Sequence, residues 1–126
     1  MEHDFYPYGN SKKISWVIKT ENSVTEQTRE HVDIYKDIVS NTQSKYIALH
    51  VGLFWGIGTF LMKNKDVINV KLDELSMYDH LTLKRKSDDG FIEKRKNFIN
   101  QLALQRNLKI KYKLINSAEN LAIKIT

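Results

Sequence analysis

Short segments of alternating hydrophobic and polar residues lie at both ends of the chain, with a long apolar run between them. Residues 5–8 and 14–18 are rich in aromatic and β-branched residues, lie next to turn residues, and predict two strands. Residues 31–39 alternate between two faces and predict a third strand. The polar residues 24–30 could extend a strand or form a loop. Three consecutive strands with short connections indicate an antiparallel start of a sheet.

The long apolar run, residues 43–62, predicts a helix for which the preceding Ser40-Asn41-Thr42 offers a cap. Almost no polar face remains along residues 46–62, and such a helix is either buried or membrane-spanning. The stretch 46–62 is shorter than the ~20 residues that a membrane span needs, and it contains His50. We therefore expect a central helix that is buried in the domain, and no membrane partner.

The second half of the chain mixes helical and strand patterns. Residues 66–72 predict a strand, 75–81 a short helix, 84–90 a charged loop and 91–105 an amphipathic helix. Residues 108–114 alternate strictly between apolar residues and lysines, as in a half-buried strand, and Ser117 can cap a last short helix through residue 125. This order predicts an α/β fold, in which a five-stranded mixed sheet with three antiparallel strands first is flanked by α-helices.

Composition narrows the classes of protein that the chain can belong to. Its 126 residues, 41% hydrophobic and 28% charged, fit a single globular domain over residues 1–126. The absence of cysteine excludes disulfides, thiolate zinc sites and a cysteine nucleophile. Residues 1–8 show no signal-peptide pattern, so we expect an intracellular protein, cytoplasmic or nuclear. The net charge of +5 suits nucleic acid or an acidic protein partner, and we expect neither a cofactor nor a small-molecule substrate.

Several segments, in order along nearly the whole chain, carry a resemblance to one family. Residues 42–49 resemble the Thr-Glu-Ala-Glu-Tyr-x-Ala-Leu start of the central helix in the ribonuclease H domain of copia-type retrotransposons. Residues 72–76 resemble the Asp-centred end of that family's fourth strand, and residues 118–126 resemble its terminal segment. Further matches are Tyr8-Gly9-Asn10 at the front and Ile92, Arg95, Phe98 and Ile99 in the late helix. The resemblance implies a ribonuclease H-like fold of retrotransposon origin.

The same resemblance implies a nuclease site in which four carboxylates bind two divalent metal ions. The four acidic positions fall at Phe5 or Tyr8, at Lys45, at Asp73, and at Ile123 or Lys124. One remaining carboxylate cannot hold two Mg²⁺ ions, and a lysine in the site would repel them further. We therefore expect a degenerate site without metal, in which Lys45 can pair with Asp73, and a chain that is not an enzyme.

A cluster of basic residues after the fourth predicted strand is the best indication of nucleic-acid binding. Its members are Lys84, Arg85, Lys86, Lys94, Arg95 and Lys96. The resemblance implies that a basic region near this point holds the phosphates of the RNA–DNA hybrid, as it does in active ribonucleases H. Asp88, Asp89 and Glu93 interleave with the cluster and weaken its field, so a solvated surface is the alternative.

Two hypotheses for the function follow. In the first, a domesticated and inactive domain contacts a protein partner or a second copy of itself. This hypothesis is favoured because Phe5 and Ile123 would make a formerly acidic cleft drier. In the second, the domain is non-catalytic and binds an RNA–DNA hybrid or a duplex. A steep fall of affinity with salt would distinguish nucleic-acid binding from protein contact.

Overall fold

The computed structural model describes residues 1–83 and 85–126 and contains one five-stranded sheet. The elements, in chain order, are β1 (Glu2–Gly9), β2 (Lys13–Thr20), β3 (Ser23–Glu30), α1 (Asn41–Gly58), β4 (Val67–Leu72), α2 (Leu75–Thr82), α3 (Gly90–Arg106) and β5 (Lys109–Leu114). The strand order is β3-β2-β1-β4-β5. The first three strands pair antiparallel, and β4 and β5 join them in parallel. The predicted mixed sheet with three antiparallel strands first is confirmed.

The predicted central helix is α1, which packs on β1, β2 and α3. It begins with a capping box, in which the Ser40 hydroxyl accepts from the Gln43 backbone N–H and the Gln43 side chain accepts from the Ser40 N–H. The helix ends at Gly58, four residues earlier than predicted, and Phe60 adopts a left-handed φ of 63° just beyond it. Within the described residues, no helix has the length and apolar character that a membrane crossing requires.

The prediction of a third strand at residues 31–39 is wrong, because β3 covers Ser23–Glu30. β3 is an edge strand whose residues are mostly exposed, so it needs no apolar alternation and is held by backbone pairing with β2. Residues 31–39 form turns instead, in which the N–H of Tyr35 donates to the Val32 carbonyl and that of Val39 to the Tyr35 carbonyl. The alternation of residues 31–39 therefore does not mark a strand, and most of these residues lie at the surface.

The predicted last helix is also shorter than expected. Residues 117–125 hold two separate 3-10 turns, Ser117–Glu119 and Ile123–Ile125, with an extended Asn120 between them. Asn120 and Ala122 are both 0% exposed, so the tail is anchored by these two residues. The tail is thus held to the domain by two buried residues, and not by the apolar face of one continuous helix.

Gly9 brings the end of β1 against the first turns of α1, and its replacement gives a test of that contact. A Cβ at position 9 would lie 2.3 Å from the Ser44 Oγ and 2.7 Å from the Ser44 carbonyl oxygen. Because helix backbone cannot shift as the end of a side chain can, we expect Gly9→Ala to lower the free energy of unfolding by about 3 kcal/mol. Urea denaturation measures this. In Gly58→Ala, the matched control, the new Cβ meets nothing within 4 Å; equal stability of the two variants would contradict the prediction.

Candidate functional site

The carboxyl ends of β1 and β4 lie side by side because these strands are parallel, and the start of α1 faces them. Here the Lys45 Nζ lies 3.2 Å from the Asp73 Oδ1 and 3.2 Å from the Glu74 Oε1. The ring of Tyr8, at the end of β1, is centred 5.8 Å from the same Nζ. The structure thus brings together three of the residues that the sequence singled out, Tyr8, Lys45 and Asp73, with the expected ion pair.

Phe5, the alternative to Tyr8, does not face this site. Its side chain is 0% exposed and packs under α1, where a Cβ on Gly52 would lie 2.4 Å from the Phe5 Cζ. Side chains three positions apart on a strand point to opposite faces of the sheet. Since Tyr8 reaches the site, Phe5 must point into the core, and the placement of Phe5 at the site is corrected.

Asn120 is the C-terminal residue at the site, a position that the sequence assigned to Ile123 or Lys124. Its Nδ2 donates to the Asp73 Oδ2 at 3.0 Å and to the Pro7 carbonyl at 3.1 Å. Ile123 opens the last 3-10 turn, three residues farther along the chain. The asparagine directly after Glu119 was the available signal, but aligning the tail as a continuous helix obscured it.

Glu74 is a second carboxylate at the site that sequence reasoning did not assign. The hydroxyls of Thr42 and Ser76 donate to its Oε2 at 2.8 Å and 2.7 Å. Burial raises the pKa of Glu74, but these two hydroxyls and Lys45 outweigh burial and leave the pKa below its usual value. The signal in the sequence was an acid next to Asp73 with a serine two residues later.

The charge of Lys45 is held by its surroundings. Burial lowers the pKa of Lys45, but the carboxylates of Asp73 and Glu74 outweigh burial and hold the pKa above its usual value. One ammonium and two carboxylates therefore share the site at neutral pH, with a net charge of −1.

The resemblance implies two divalent ions here, and the residues do not fit them. Across residues 1–83 and 85–126, no three histidine or acidic side chains form a group that could hold a metal ion. The Lys45 ammonium lies against carboxylate oxygens of Asp73 and Glu74, the hard ligands that Mg²⁺ would need. Asn120 supplies its N–H₂ group, a donor, to Asp73. As arranged, the site favours a cation on a side chain over a bound metal ion.

The predicted basic cluster is divided by the fold, and Lys84 lies outside the described residues. Arg85, Lys86 and Lys94 are exposed. Lys96 is buried, and its Nζ donates to backbone carbonyls, including that of Arg85 at 3.3 Å. Of the described members, Arg85, Lys86 and Lys94 are therefore accessible to a ligand.

Arg95 is engaged with residues of its own domain. Its guanidinium donates to the His50 Nδ1 at 2.9 Å and to the Tyr35 hydroxyl at 3.0 Å. It also lies 5.1 Å from the centre of the Phe91 ring. Burial, and then the charge of Arg95, lower the pKa of His50, so its Nδ1 stays a neutral acceptor at physiological pH. Arg95 therefore ties α3 to α1 and to the turn at Tyr35.

A groove of about 380 Å³ opens beside the site. Its lining includes the hydroxyl residues Thr42, Ser76 and Ser87 and the cations Arg85 and Lys86. Two of these hydroxyl residues, Thr42 and Ser76, also hold Glu74, so the groove and the site share a wall.

His80 forms the base of this groove. Its Nε2 lies 2.6 Å from the Glu93 Oε1, and its Nδ1 contacts the Tyr46 hydroxyl. The hydrogen bond from His80 is the main cause that holds the pKa of Glu93 below its usual value, followed by the Ser87 N–H. These contacts connect α1, α2 and α3 and give the groove a rigid base.

Comparison with solved structures identifies the fold. The N-terminal ribonuclease H domain of a Mycobacterium tuberculosis protein superposes with a TM-score of 0.77 and 17% identity, over 98% of this chain and 95% of that one. The ribonuclease H1 of Halobacterium salinarum gives 0.72 and 16%, over 95% and 89%. A compost-derived ribonuclease H1 solved with an RNA/DNA hybrid gives 0.72 and 14%, over 98% and 91%. No protein-family model and no curated protein sequence matches the chain.

The chain has the ribonuclease H-like fold, as predicted, whereas its copia-type origin stays a prediction. The conclusion that the chain is not an enzyme is wrong, because the solved structures that share its fold over nearly its whole length are ribonucleases H. That conclusion rested on the missing acids and on the lysine in the site. Lys45 between two carboxylates removes ligands for paired metal ions, but it does not exclude every route to hydrolysis.

Proposed function

We propose that the domain binds nucleic acid, with an RNA–DNA hybrid as the class of ligand, along the groove and the adjoining site. The observation that carries the proposal is the lining of the groove, where the exposed cations Arg85 and Lys86 stand with the hydroxyl of Ser87. The hydroxyls of Thr42 and Ser76, in the same lining, already donate to Glu74. Cationic and hydroxyl side chains supply most protein contacts to phosphate oxygens. The groove therefore has the chemistry of a phosphate-backbone contact.

Two further observations support a polyanionic ligand. The chain carries a net charge of +5, which attracts nucleic acid over a distance. A neighbour of the same fold was solved in complex with an RNA/DNA hybrid. The buried Phe5 also removes the main support for an apolar cleft that would favour a protein partner.

The test is the binding of a fluorescently labelled RNA–DNA hybrid, followed by anisotropy across a range of salt concentrations. Each phosphate contact contributes about −0.9 to the slope of log K against log salt. We expect the double variant Arg85→Gln/Lys86→Gln to bind about tenfold more weakly at low salt and to reduce the magnitude of this slope by about 2. Neither side chain is needed for the core, since both are exposed.

The matched control is Lys63→Gln/Lys65→Gln, which removes the same charge at two other exposed positions. An equal loss of affinity in the control would show that net charge, and not the groove, determines binding. Cleavage in Mg²⁺ is measured in the same samples. Cleavage that Asp73→Asn abolishes would assign hydrolysis to this site and would leave the binding proposal standing.

A protein partner or self-association is the second candidate function, and an exposed apolar segment favours it. Val32, Ile34 and Ile38 are 59%, 70% and 72% exposed in the turns before α1. Exposed apolar patches often mark the sites at which proteins associate. We expect sedimentation to show a dimer at high concentration and a monomer for Ile34→Lys/Ile38→Lys. A monomer at all concentrations of the unchanged chain would contradict self-association.

A further inference from the structure

The face of the sheet opposite the helices is covered on one half and open on the other. The C-terminal turn covers β2 and β3, where the Ser15 Oγ donates to the Ala122 carbonyl and the Thr28 Oγ1 to the Ile125 carbonyl, each at 3.0 Å. On the other half, formed by β1, β4 and β5, Lys109, Lys111 and Lys113 are exposed, and the tail reaches this half through the bond from Asn120 to the Pro7 carbonyl at the end of β1.

Four lysines form a basic surface on this open half: Lys71, Lys109, Lys111 and Lys113. Lys71 pairs in register with Lys113 across β4 and β5, and Asn69 pairs with Lys111. Residues two apart on a parallel strand lie about 6.6 Å apart, so the three lysines of β5 span about 13 Å. Within residues 1–83 and 85–126, none of the four is in an ion pair. Their charge is therefore available to a ligand.

An aromatic side chain borders this lysine surface. Tyr6 follows Phe5, which pairs with Val70, so it lies beside Lys71 on the open face. Its ring is half-buried and keeps one part accessible. Burial, and then the charges of Asp4 and Glu119, raise the pKa of the Tyr6 phenol, which keeps the phenol neutral.

Acidic side chains limit the surface on the β1 side. Asn69 donates to the Glu2 Oε2 at 2.7 Å and to the Asp4 Oδ1 at 3.2 Å, which holds both carboxylates near the start of β1. A polyanion would therefore run along β5, with its charged backbone over the lysines and its uncharged groups directed toward Tyr6. In this arrangement the phosphates contact the lysines of β5, and the bases contact Tyr6.

We infer that this lysine surface with Tyr6 binds single-stranded nucleic acid, as a second surface distinct from the groove. A row of cations that follows a backbone, next to an aromatic ring, is the usual arrangement for single strands. A single strand fits better than a duplex, because its unpaired bases can stack on Tyr6 while its phosphates stay over β5. This inference does not depend on hybrid binding at the groove.

The test measures binding of a labelled oligo(dT) and an oligo(U) by fluorescence anisotropy against salt. We expect Lys109→Gln/Lys111→Gln/Lys113→Gln to weaken binding about tenfold and to reduce the magnitude of the slope by about 2, at about 0.7 per phosphate of a single strand. We expect Tyr6→Leu, which keeps an apolar side chain on the sheet, to weaken binding about tenfold without changing the slope. Circular dichroism checks that each variant is folded.

The matched control is Lys63→Gln/Lys65→Gln/Lys124→Gln, which removes three exposed lysines elsewhere. The inference is overturned if this control loses as much affinity as the β5 variant, or if a poly-glutamate peptide of equal charge competes as well as the oligonucleotide. Hybrid binding that survives in the β5 variant but fails in Arg85→Gln/Lys86→Gln would show two separate surfaces. Loss of hybrid and single-strand binding together in the β5 variant would contradict that separation.

Discussion

Replacing Lys45 by methionine should lower the free energy of unfolding by about 3 kcal/mol at neutral pH, because it leaves the buried carboxylate of Asp73 and the half-buried carboxylate of Glu74 without their cation. The side chain of Asp73 is 3% exposed and that of Glu74 is 22% exposed, and both lie 3.2 Å from the Lys45 Nζ. Methionine keeps the length and helix propensity of lysine but not its charge. Urea denaturation at pH 7 measures the difference.

The pH dependence of this loss identifies its cause. An orphaned carboxylate can take up a proton, so the cost of Lys45→Met should shrink as the pH falls toward 4. Lys63→Met, at an exposed position, is the matched control and should be close to neutral. A loss of less than about 1 kcal/mol in Lys45→Met, or a loss independent of pH, would show that the ion pair does not stabilise the site.

Reversing the charge at the same position tests the fit to metal. Lys45→Glu would place three carboxylates together, with Asp73 and Glu74, and should be less stable than Lys45→Met in the absence of divalent ions. We expect millimolar Mg²⁺ to raise the melting temperature of Lys45→Glu and to leave Lys45→Met unchanged. An equal response of both variants would mean that Mg²⁺ binds elsewhere.

Replacing Asp66 by alanine should cost about 3 kcal/mol, the second large effect, at the opposite end of the sheet. Asp66 is 5% exposed and accepts hydrogen bonds from the His3 Nε2 and the Lys63 N–H, each at 2.8 Å, and from the Met1 ammonium at 3.2 Å. His3 is 1% exposed, and its other ring nitrogen contacts the Thr20 hydroxyl. Losing Asp66 therefore breaks a buried connection between β1, β2 and the start of β4.

The charge of Asp66 gives this region an acid-dependent stability. Burial raises the pKa of Asp66, but His3, the Lys63 N–H and the Met1 ammonium outweigh burial and lower the pKa from 3.8 to about 2. A depressed pKa stabilises the fold above pH 3.8, and this contribution, about 2.5 kcal/mol, is lost as the pH falls through 2.

The variant Asp66→Asn keeps the shape of the side chain and removes its titration. We expect the difference in unfolding free energy between the unchanged chain and Asp66→Asn to be constant from pH 6 to about 4 and to decrease from there to pH 2. Thr20→Val, which removes only the neutral end of the connection, is the control and should cost about 1 kcal/mol at every pH. A pH-independent difference for Asp66→Asn would contradict the role of its charge.

Local patterns were sufficient for most of the elements. The periodicity and turn residues around β1, β2, β4, β5, α1 and α3 predicted each of them to within a few residues, because these signals lie within the elements themselves. The pairing of Lys45 with Asp73 was also anticipated, but from the family resemblance, which placed both residues at one site. The exposed lysines of β5 followed from strict alternation alone.

Tertiary contacts determined the rest, because they join residues that are far apart along the chain. Asn120 reaches the Pro7 carbonyl across 113 residues, and no local pattern could place it at Asp73. Pairing with β2 made a strand of the polar β3, and packing under α1 made Phe5 a core residue. Alternation and charge along the chain thus determined which segments form strands and helices, whereas the sheet order and the packing of α1 decided which side chains meet at the site. The physical reason is that a side chain's neighbours in space depend on strand pairing and helix packing, and both are set by burial across the whole domain.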